Sequence, residues 1–204
     1  MSDVVVGADG LARCRWGATP PEYQAYHDHE WGRPVADERR IFEKLCLEGF
    51  QSGLSWLTIL RKREAFRRAF AGFEPAAVAR FGDSDIARLL ADAGIVRHRG
   101  KIVATIENAR AAERLHTQGR SLGGLLWSHA PRSGPAPKSL GELVSSTPES
   151  KAASAELRGL GFRFVGPTTV HAAMQALGVV NDHLARCHFR EAAQAERTGF
   201  RPPT

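Results

Sequence analysis

The sequence has few cysteines and no long apolar run, and each absence excludes a class of protein. Its three cysteines are an odd number, which argues against a disulfide framework and favours a reducing compartment, the cytoplasm. No segment reaches the length of about 18 consecutive apolar residues that a transmembrane helix requires, so we expect no membrane partner. The first residues also lack a charged segment followed by an apolar one, so no signal peptide is expected.

The chain also lacks sustained alternation of apolar and polar residues, which would indicate β-strands, and it has no internal repeat. Helix signals are frequent instead, because capping residues and first-turn prolines precede apolar residues at helical spacing. The helices that these signals predict span about residues 37–47, 53–70, 75–80, 83–94, 101–115, 147–159 and 167–177. A segment rich in proline, glycine and serine, 128–138, is expected to be a loop. We therefore predict an all-α fold, with 204 residues forming one domain or two lobes that share a core.

The sequence carries more positive than negative charge. Its 28 Lys and Arg residues exceed its 22 Asp and Glu residues, which gives a formal net charge of +6 and an isoelectric point of about 9.7. A basic balance favours a polyanionic partner such as nucleic acid, although it does not identify one.

A carboxylate lies inside an apolar, glycine-punctuated segment, 47–56, which reads LEGFQSGLSW. Apolar residues on both sides are expected to be core, so Glu48 is predicted to face a pocket, with Trp56 as a flat wall. A carboxylate beside an aromatic plane suits a planar ligand with N–H donors, such as a nucleobase. The alternative interpretation is a surface glutamate at the end of a helix.

Two cysteines and two histidines, far apart in the sequence, form a candidate set of ligands for a structural zinc ion: Cys14, His27, His183 and Cys187. Four protein ligands complete a tetrahedral site and leave no position for water. The last two are four residues apart and share a face if that segment is helical. Spacing alone leaves His29 and His188 as alternative ligands, and it leaves plain packing as an alternative to metal binding. Cys46 is expected to lie in the core.

Blocks that occur in a fixed order along the chain carry a resemblance to a known family. They read CRW (14–16), YHDHEWG (26–32), LEG (47–49), QSGLSW (51–56), AGIVRHRGKI (93–102), GFRFVG (161–166) and VNDH (180–183). Together they resemble the 3-methyladenine DNA glycosylase I family, constitutive bacterial enzymes of alkylation repair. The resemblance implies an all-helical fold of the helix-hairpin-helix DNA glycosylase superfamily. It also implies a domain of two lobes sharing one cleft over 12–190, an N-terminal extension at 1–11 and a tail at 191–204.

The resemblance assigns roles to most of the residues singled out above. Cys14, His27, His183 and Cys187 match a zinc site that joins the N- and C-terminal segments. Glu48 matches the carboxylate that reads the base, and Trp16, Tyr26 and Trp56 match aromatic residues around the flipped base. Trp31 matches a further tryptophan near the pocket, with core packing as the alternative. Phe50 stands where the family is expected to have glutamine, so a polar contact from this position is not expected.

The hairpin of the superfamily corresponds to residues 162–169, which read FRFVGPTT. Its DNA-backbone-binding residues match Phe164, Val165, Gly166 and Thr168. Such a hairpin aims backbone N–H groups and a helix N-terminus at a DNA phosphate. Phe164 stands where the superfamily usually has glycine, a change that this family tolerates. A plain turn between helices is the alternative interpretation.

The implied activity is hydrolytic removal of 3-methyladenine from double-stranded alkylated DNA by a monomeric enzyme, which leaves an abasic site. The alkylated base is cationic and leaves easily, so catalysis is expected to depend on extruding and binding the base. Asn181 occupies the position of the superfamily's catalytic Asp, and Asp182 is the alternative carboxylate. Thr168 replaces the lysine of bifunctional relatives, so no lyase step is expected. Two further functions are alternatives: a non-catalytic, zinc-stabilised DNA-binding module and a scaffold for another small planar ligand such as a nucleoside.

Overall fold

The computed structural model describes residues 2–132 and 134–203, which form a helical protein with a single short hairpin of strands among these residues. The strands are β1 (Val4–Val6) and β2 (Ala12–Cys14). The helices are α1 (Pro21–His29), α2 (Glu38–Gln51), α3 (Trp56–Ala69), α4 (Pro75–Val78), α5 (Asp83–Ala91), α6 (Arg99–Thr117), α7 (Leu122–Ser128), α8 (Pro148–Gly159), α9 (Pro167–Ala176) and α10 (Arg190–Gly199). The predicted all-α class is confirmed. No helix in the described residues is both long and apolar enough to cross a membrane.

Capping side chains fix where the helices that carry the site begin. The Asp37 side chain accepts a hydrogen bond from the Arg40 amide at 2.9 Å and starts α2. The Ser55 hydroxyl accepts one from the Thr58 amide at 3.2 Å, so α3 starts at Trp56 and not at Gly53 as predicted. Gly53 has a φ of +82°, which lies outside the helical region and belongs to the turn between the two helices. Helix α2 continues to Gln51, past its predicted end.

Helix α2 is the centre of the core and contacts α3, α6, α7 and α9. A cluster of phenylalanines packs along it, with Phe50 and Phe66 at 4.6 Å and Phe70 and Phe73 at 5.5 Å between ring centroids. Phe50 is 1% exposed, so the position where glutamine was expected points into the core. Because α2 is surrounded, polar side chains on it either turn to a cleft or need a buried partner.

Both ends of the described chain are more ordered than the sequence predicts. Val4 pairs with Cys14 in the β-hairpin, so part of the predicted extension 1–11 is joined to the domain. Strands of three residues are too short to show an alternating pattern. The predicted tail 191–204 is helical as far as Gly199 and packs through the buried Ala193. A helix that buries alanine rather than large apolar residues gives little periodic signal, which explains why α10 was not predicted.

Candidate base-binding cleft and metal centre

A cleft of about 220 Å³ lies among the turn at Arg15–Gly17 and helices α1, α2, α3 and α9. The structure brings all five predicted base-binding residues to it. The residues that line the cleft are Trp16, Tyr23, Tyr26, Trp31, Glu48, Gln51, Trp56, Leu143, Ala172 and Gln175. The cleft is therefore mainly aromatic, with few polar groups, as expected of a site for a planar molecule.

Glu48 is the carboxylate of this cleft. It lies inside α2, one turn before the end, and its side chain is only 5% exposed, so the alternative of a surface glutamate is wrong. Its Oε1 atom lies 2.8 Å from Nζ of Lys44, one helical turn earlier. No hydrogen bond or ion pair to the other oxygen, Oε2, is found within the described residues. The carboxylate thus has one partner inside the protein and lines the cleft.

Lys44 contacts three groups that surround the cleft. Its Nζ atom donates to the Tyr26 hydroxyl at 2.6 Å and lies 3.4 Å from the centroid of the Trp56 ring. Burial lowers the pKa of Lys44, whereas the neighbouring Glu48 opposes that shift. Burial raises the pKa of Tyr26 well above its usual value, so its hydroxyl keeps its proton at neutral pH.

The aromatic rings meet mostly at steep angles. Trp16 and Trp31 are edge to face at 4.8 Å, and Tyr26 and Trp56 are tilted at 5.3 Å between centroids. The Nε1 atom of Trp56 is buried without a hydrogen-bond partner among the described residues, which leaves an N–H donor unused. The ring of Trp31 contacts the cleft on one side and His183 on the other, at 4.7 Å. Trp31 therefore contributes both to the cleft wall and to core packing.

The four candidate metal ligands lie together next to this cleft. One ligand atom from each of Cys14, His27, His183 and Cys187 lies within 4.8 Å of every other, and all four residues are buried. Sγ of Cys187 lies 3.6 Å from Nε2 of His27 and 3.5 Å from Nδ1 of His183. Tetrahedral zinc with ordinary bond lengths separates a sulfur and a nitrogen ligand by about 3.6 Å. The arrangement therefore fits a four-coordinate metal.

The remaining ring nitrogens are held by oxygen atoms, as in metal-binding histidines. Nδ1 of His27 lies 2.8 Å from Oδ1 of Asp28, whose other oxygen accepts from Nε of Arg13 at 2.9 Å. Nε2 of His183 lies 3.0 Å from the backbone oxygen of Trp31. With these nitrogens occupied, the opposite nitrogen of each ring is directed at Cys187 and is free to bind a metal.

The two thiols shift each other's pKa in opposite directions. Hydrogen bonds from Cys14 and from the two imidazoles lower the pKa of Cys187, and the contact with Cys187 in turn raises the pKa of Cys14. The amide of Leu184 donates to Sγ of Cys14 at 3.3 Å, a contact that stabilises a thiolate. A thiolate is the form of cysteine that binds metal.

The segment that carries the last two ligands is not a helix. Residues 181–189 are irregular, with turns at 185–186 and 188–189, and the Cys187 amide donates to the Leu184 oxygen at 2.8 Å. A turn, and not a shared helix face, therefore brings His183 beside Cys187. The alternative ligands His29 and His188 are exposed and lie outside the cluster. Cys46 lies in the core as predicted.

The predicted hairpin, 162–169, comprises most of the loop 160–166 between α8 and α9 and the first turn of α9. The Asn108 side chain clamps it, since Oδ1 accepts from the Arg163 amide at 2.7 Å and Nδ2 donates to the Arg163 oxygen at 3.0 Å. Phe164 adopts a φ of +54° and its side chain is 42% exposed. Its backbone passes over α2 so closely that a Cβ at Gly49 would lie 3.3 Å from the Phe164 Cβ.

Backbone donors of the hairpin are available. No acceptor is found in the described chain for the backbone N–H groups of Phe164, Val165, Gly166 and Thr168. Two of these residues, Gly166 and Thr168, lie at the N-terminus of α9, where helix geometry leaves N–H groups without intrahelical partners. Val165 itself is buried and anchors the loop, as its oxygen accepts from the Ser154 hydroxyl at 2.6 Å.

Asn181 and Asp182 lie outside the residues that line the cleft. The Asn181 amide donates to the Arg190 oxygen at 3.1 Å and to Gln194 at 3.2 Å, so it fastens α10. Asp182 accepts from Nε2 of Gln175 at 2.7 Å. Gln175 lines the cleft, so Asp182 reaches the site only through this amide.

The sequence profile of the methyladenine glycosylase family matches residues 16–191. The chain belongs to this family. The matched region contains Glu48, all the cleft residues and three of the four candidate metal ligands, and Cys14 lies just before its start.

Individual relatives of the family agree with this membership. The chain is 47% identical over 180 residues to DNA-3-methyladenine glycosylase 1 of Escherichia coli strain K12, covering 87% of this chain and 96% of that protein. A crystal structure of 3-methyladenine DNA glycosylase I superimposes with a TM-score of 0.84 at 46% identity, over 86% of this chain and 98% of the other. A variant of 3-methyladenine DNA glycosylase I in complex with 3-methyladenine superimposes with a TM-score of 0.83 at 34% identity, over 87% and 97%.

Sequence reasoning missed several residues of the cleft in this family member. Tyr23 lines it and accepts from the Leu57 amide at 2.9 Å, which ties α1 to the start of α3. Gln175 and Leu143 line it from distant parts of the chain, and no local pattern marks them. Lys44, which lies behind the cleft and contacts Glu48, had a visible signal, since it precedes Glu48 by four residues in a predicted helical region.

Proposed function

We propose that the protein removes 3-methyladenine from alkylated double-stranded DNA by hydrolysis of the N-glycosidic bond, leaving an abasic site in an intact strand. The single observation that carries this proposal is the buried Glu48 carboxylate in a cleft walled by Trp16, Tyr26 and Trp56. Membership of the methyladenine glycosylase family supports the same substrate.

The base is bound by charge, hydrogen bonding and stacking. A base alkylated at N3 carries a positive charge while it is attached to the sugar, so it is attracted to the Glu48 carboxylate and is a good leaving group. The carboxylate accepts N–H donors of the base edge, and the aromatic rings contact its faces. Because the bond is already weak, extrusion of the nucleotide and binding of the base provide most of the rate enhancement.

No general base is assigned on the sugar side. Asn181 has no charge, and its amide is occupied by Arg190 and Gln194. Asp182 is bound by Gln175 and precedes the ligand His183, which suits a positioning role better than proton transfer. Thr168 offers no amine to form a Schiff base, so the enzyme is monofunctional.

DNA is held through the hairpin in this proposal. The unpaired N–H groups of Gly166 and Thr168 bind a phosphate at the N-terminus of α9, with Phe164 beside it and the buried Val165 anchoring the loop. The positive net charge of the chain supplies attraction to the remaining phosphates.

The metal that suits the cluster is zinc in a structural role. Two sulfur and two nitrogen ligands are the donor set that zinc prefers, and four protein ligands leave no position for an activated water. Held by Cys14, His27, His183 and Cys187, the ion would join the N-terminal hairpin to the segment before α10. The cytoplasmic location and the monomeric state stay predictions.

Incubation with methylated duplex DNA tests the function directly. We expect free 3-methyladenine in the chromatogram of released bases, and intact strands that break at abasic sites only after alkali. Borohydride present during turnover should trap no protein–DNA adduct, since no amine attacks the sugar. DNA binding without base release would instead favour a non-catalytic module. Action on free nucleosides but not on DNA would favour a scaffold for a small planar ligand.

A further inference from the structure

Lys44 places a positive charge at a site whose proposed ligand is also positive. Its Nζ atom lies 2.8 Å from Oε1 of Glu48, 2.6 Å from the Tyr26 hydroxyl and 3.4 Å from the centroid of the Trp56 ring. Its side chain is 12% exposed, so solvent screens this charge poorly. These three partners are residues to which base binding is assigned above.

The ammonium approaches these groups from behind the cleft wall. Lys44 lines a small cavity of about 40 Å³ that shares Tyr26 and Trp56 with the base-binding cleft. Lys44 is absent from the lining of the cleft itself, whereas Glu48 lines it. The lysine therefore leaves room for a ligand, and it covers part of Trp56 from the far side.

Other carboxylates near Lys44 have cationic partners of their own. Glu30 is bound by Arg63 through two contacts of 2.5 and 2.9 Å. Glu43 pairs with Arg67 at 2.8 Å. Glu48 is left as the partner of Lys44, so the pair carries no net charge. A neutral pair attracts a cation less than a lone carboxylate does.

We propose that Lys44 is a specificity-determining residue of the base site, which fixes Glu48 and Tyr26 in place and lowers the preference for a cationic base over a neutral one. This inference rests on the proposed function. Because Lys44 already holds the Glu48 side chain in one conformation, that side chain loses less conformational freedom when a base binds. A weaker negative potential in the cleft reduces the difference in affinity between a cationic and a neutral base. We therefore expect this member of the family to bind neutral bases better, relative to cationic ones, than it would with Glu48 alone.

A matched pair of ligands measures the charge effect. The 3,9-dimethyladeninium ion is cationic at neutral pH, and 9-methyladenine is its neutral counterpart without the N3 methyl group. Fluorescence of Trp16, Trp31 and Trp56 reports the binding of either one. The quantity of interest is the ratio of the dissociation constant for 9-methyladenine to that for the cation. Differences in shape between the ligands cancel when this ratio is compared between variants.

We expect Lys44→Met to raise this ratio by about tenfold or more, because one nearby positive charge is removed from a partly buried site. Lys44→Arg keeps the charge and should change the ratio by less than about twofold. The exposed Lys151→Met, on α8, should not change it. An unchanged or lower ratio in Lys44→Met overturns the inference.

Separate controls distinguish a folding defect from a failure of the proposed function. If Lys44→Met does not fold, because Glu48 is left as a buried unpaired charge, Lys44→Gln retains a hydrogen-bond donor and should raise the ratio in the same direction. If Lys44→Gln leaves the ratio unchanged, the inference is overturned. Base release from methylated DNA by the wild-type protein is measured in parallel. Its absence would refute the proposed function, whereas base release with an unchanged ratio would refute only the role of Lys44.

Discussion

The candidate metal cluster and the candidate base-binding cleft are neighbouring sets of polar and aromatic residues, but they differ in how completely their polar atoms are satisfied. In each histidine of the cluster, one ring nitrogen contacts an oxygen atom and the other points at Cys187. In the cleft, by contrast, the N–H of Trp56 has no partner within the described residues. A cluster whose polar atoms all have partners suits a structural role, whereas a cleft with unpaired polar groups suits ligand binding.

The largest effect on stability is expected from a substitution in the cluster of two cysteines and two histidines. Cys14→Ala should lose the bound metal and lower the free energy of unfolding by more than about 4 kcal/mol, because the remaining ligands are buried without it. Elemental analysis and thermal denaturation measure these two losses. Cys46→Ala, a buried cysteine outside the cluster, should retain one zinc per chain. Purified wild-type protein without stoichiometric zinc would contradict the assignment.

A smaller effect on stability but a large one on activity is expected in the cleft. Glu48→Gln keeps the shape and removes the charge, so base release should slow by about 10²-fold or more. Binding of the 3,9-dimethyladeninium ion should weaken more than binding of 9-methyladenine. Glu64→Gln, at a side chain that is 69% exposed, is the matched control and should behave as wild type. Equal losses for both ligands would show that Glu48 is structural.

The smallest effect on rate is expected at Asn181 and Asp182, between the two regions. Asn181→Ala should lower the free energy of unfolding by about 1–3 kcal/mol, since it leaves the Arg190 oxygen without its donor. Single-turnover rates should fall by much less than the factor of about 10²–10⁴ typical of a lost general acid or base. Asp182→Asn should behave similarly. A loss of that size in Asp182→Asn, with metal and fold retained, would assign the catalytic role to Asp182.

Most residues of both regions are predictable from the sequence. The cluster and the cleft were both predicted through motifs that resemble a family, and Glu48 was also predicted from its apolar surroundings. The structure brings the four candidate metal ligands together and places the five residues predicted for the base site around one cleft. Spacing alone was insufficient for the cluster, because a turn and not a helix brings His183 to Cys187.

Other features depend on tertiary packing that no local pattern reveals. The sequence does not show that Lys44 turns inward to three partners rather than outward to solvent, as most lysines do. Helices α1, α7 and α10 were missed. In α1 and α10, aromatic, histidine and alanine residues, and not a stripe of large aliphatic ones, form most of the buried positions. Helix α7 has only seven residues, two of which are glycines, and is too short to show a helical period. Gln175 and Leu143 reach the cleft only after the chain has folded.

The contact between Gly49 and Phe164 has a consequence for how damage is located. The hairpin that is proposed to hold a phosphate rests directly on α2, one residue after the carboxylate proposed to read the base. The distance between the hairpin and the pocket is therefore fixed by close packing of the hairpin on α2 and by the Asn108 and Ser154 hydrogen bonds that hold the same loop. In the proposed function, the hairpin therefore holds the DNA backbone at a fixed distance from the pocket, and an undamaged base is rejected by the pocket.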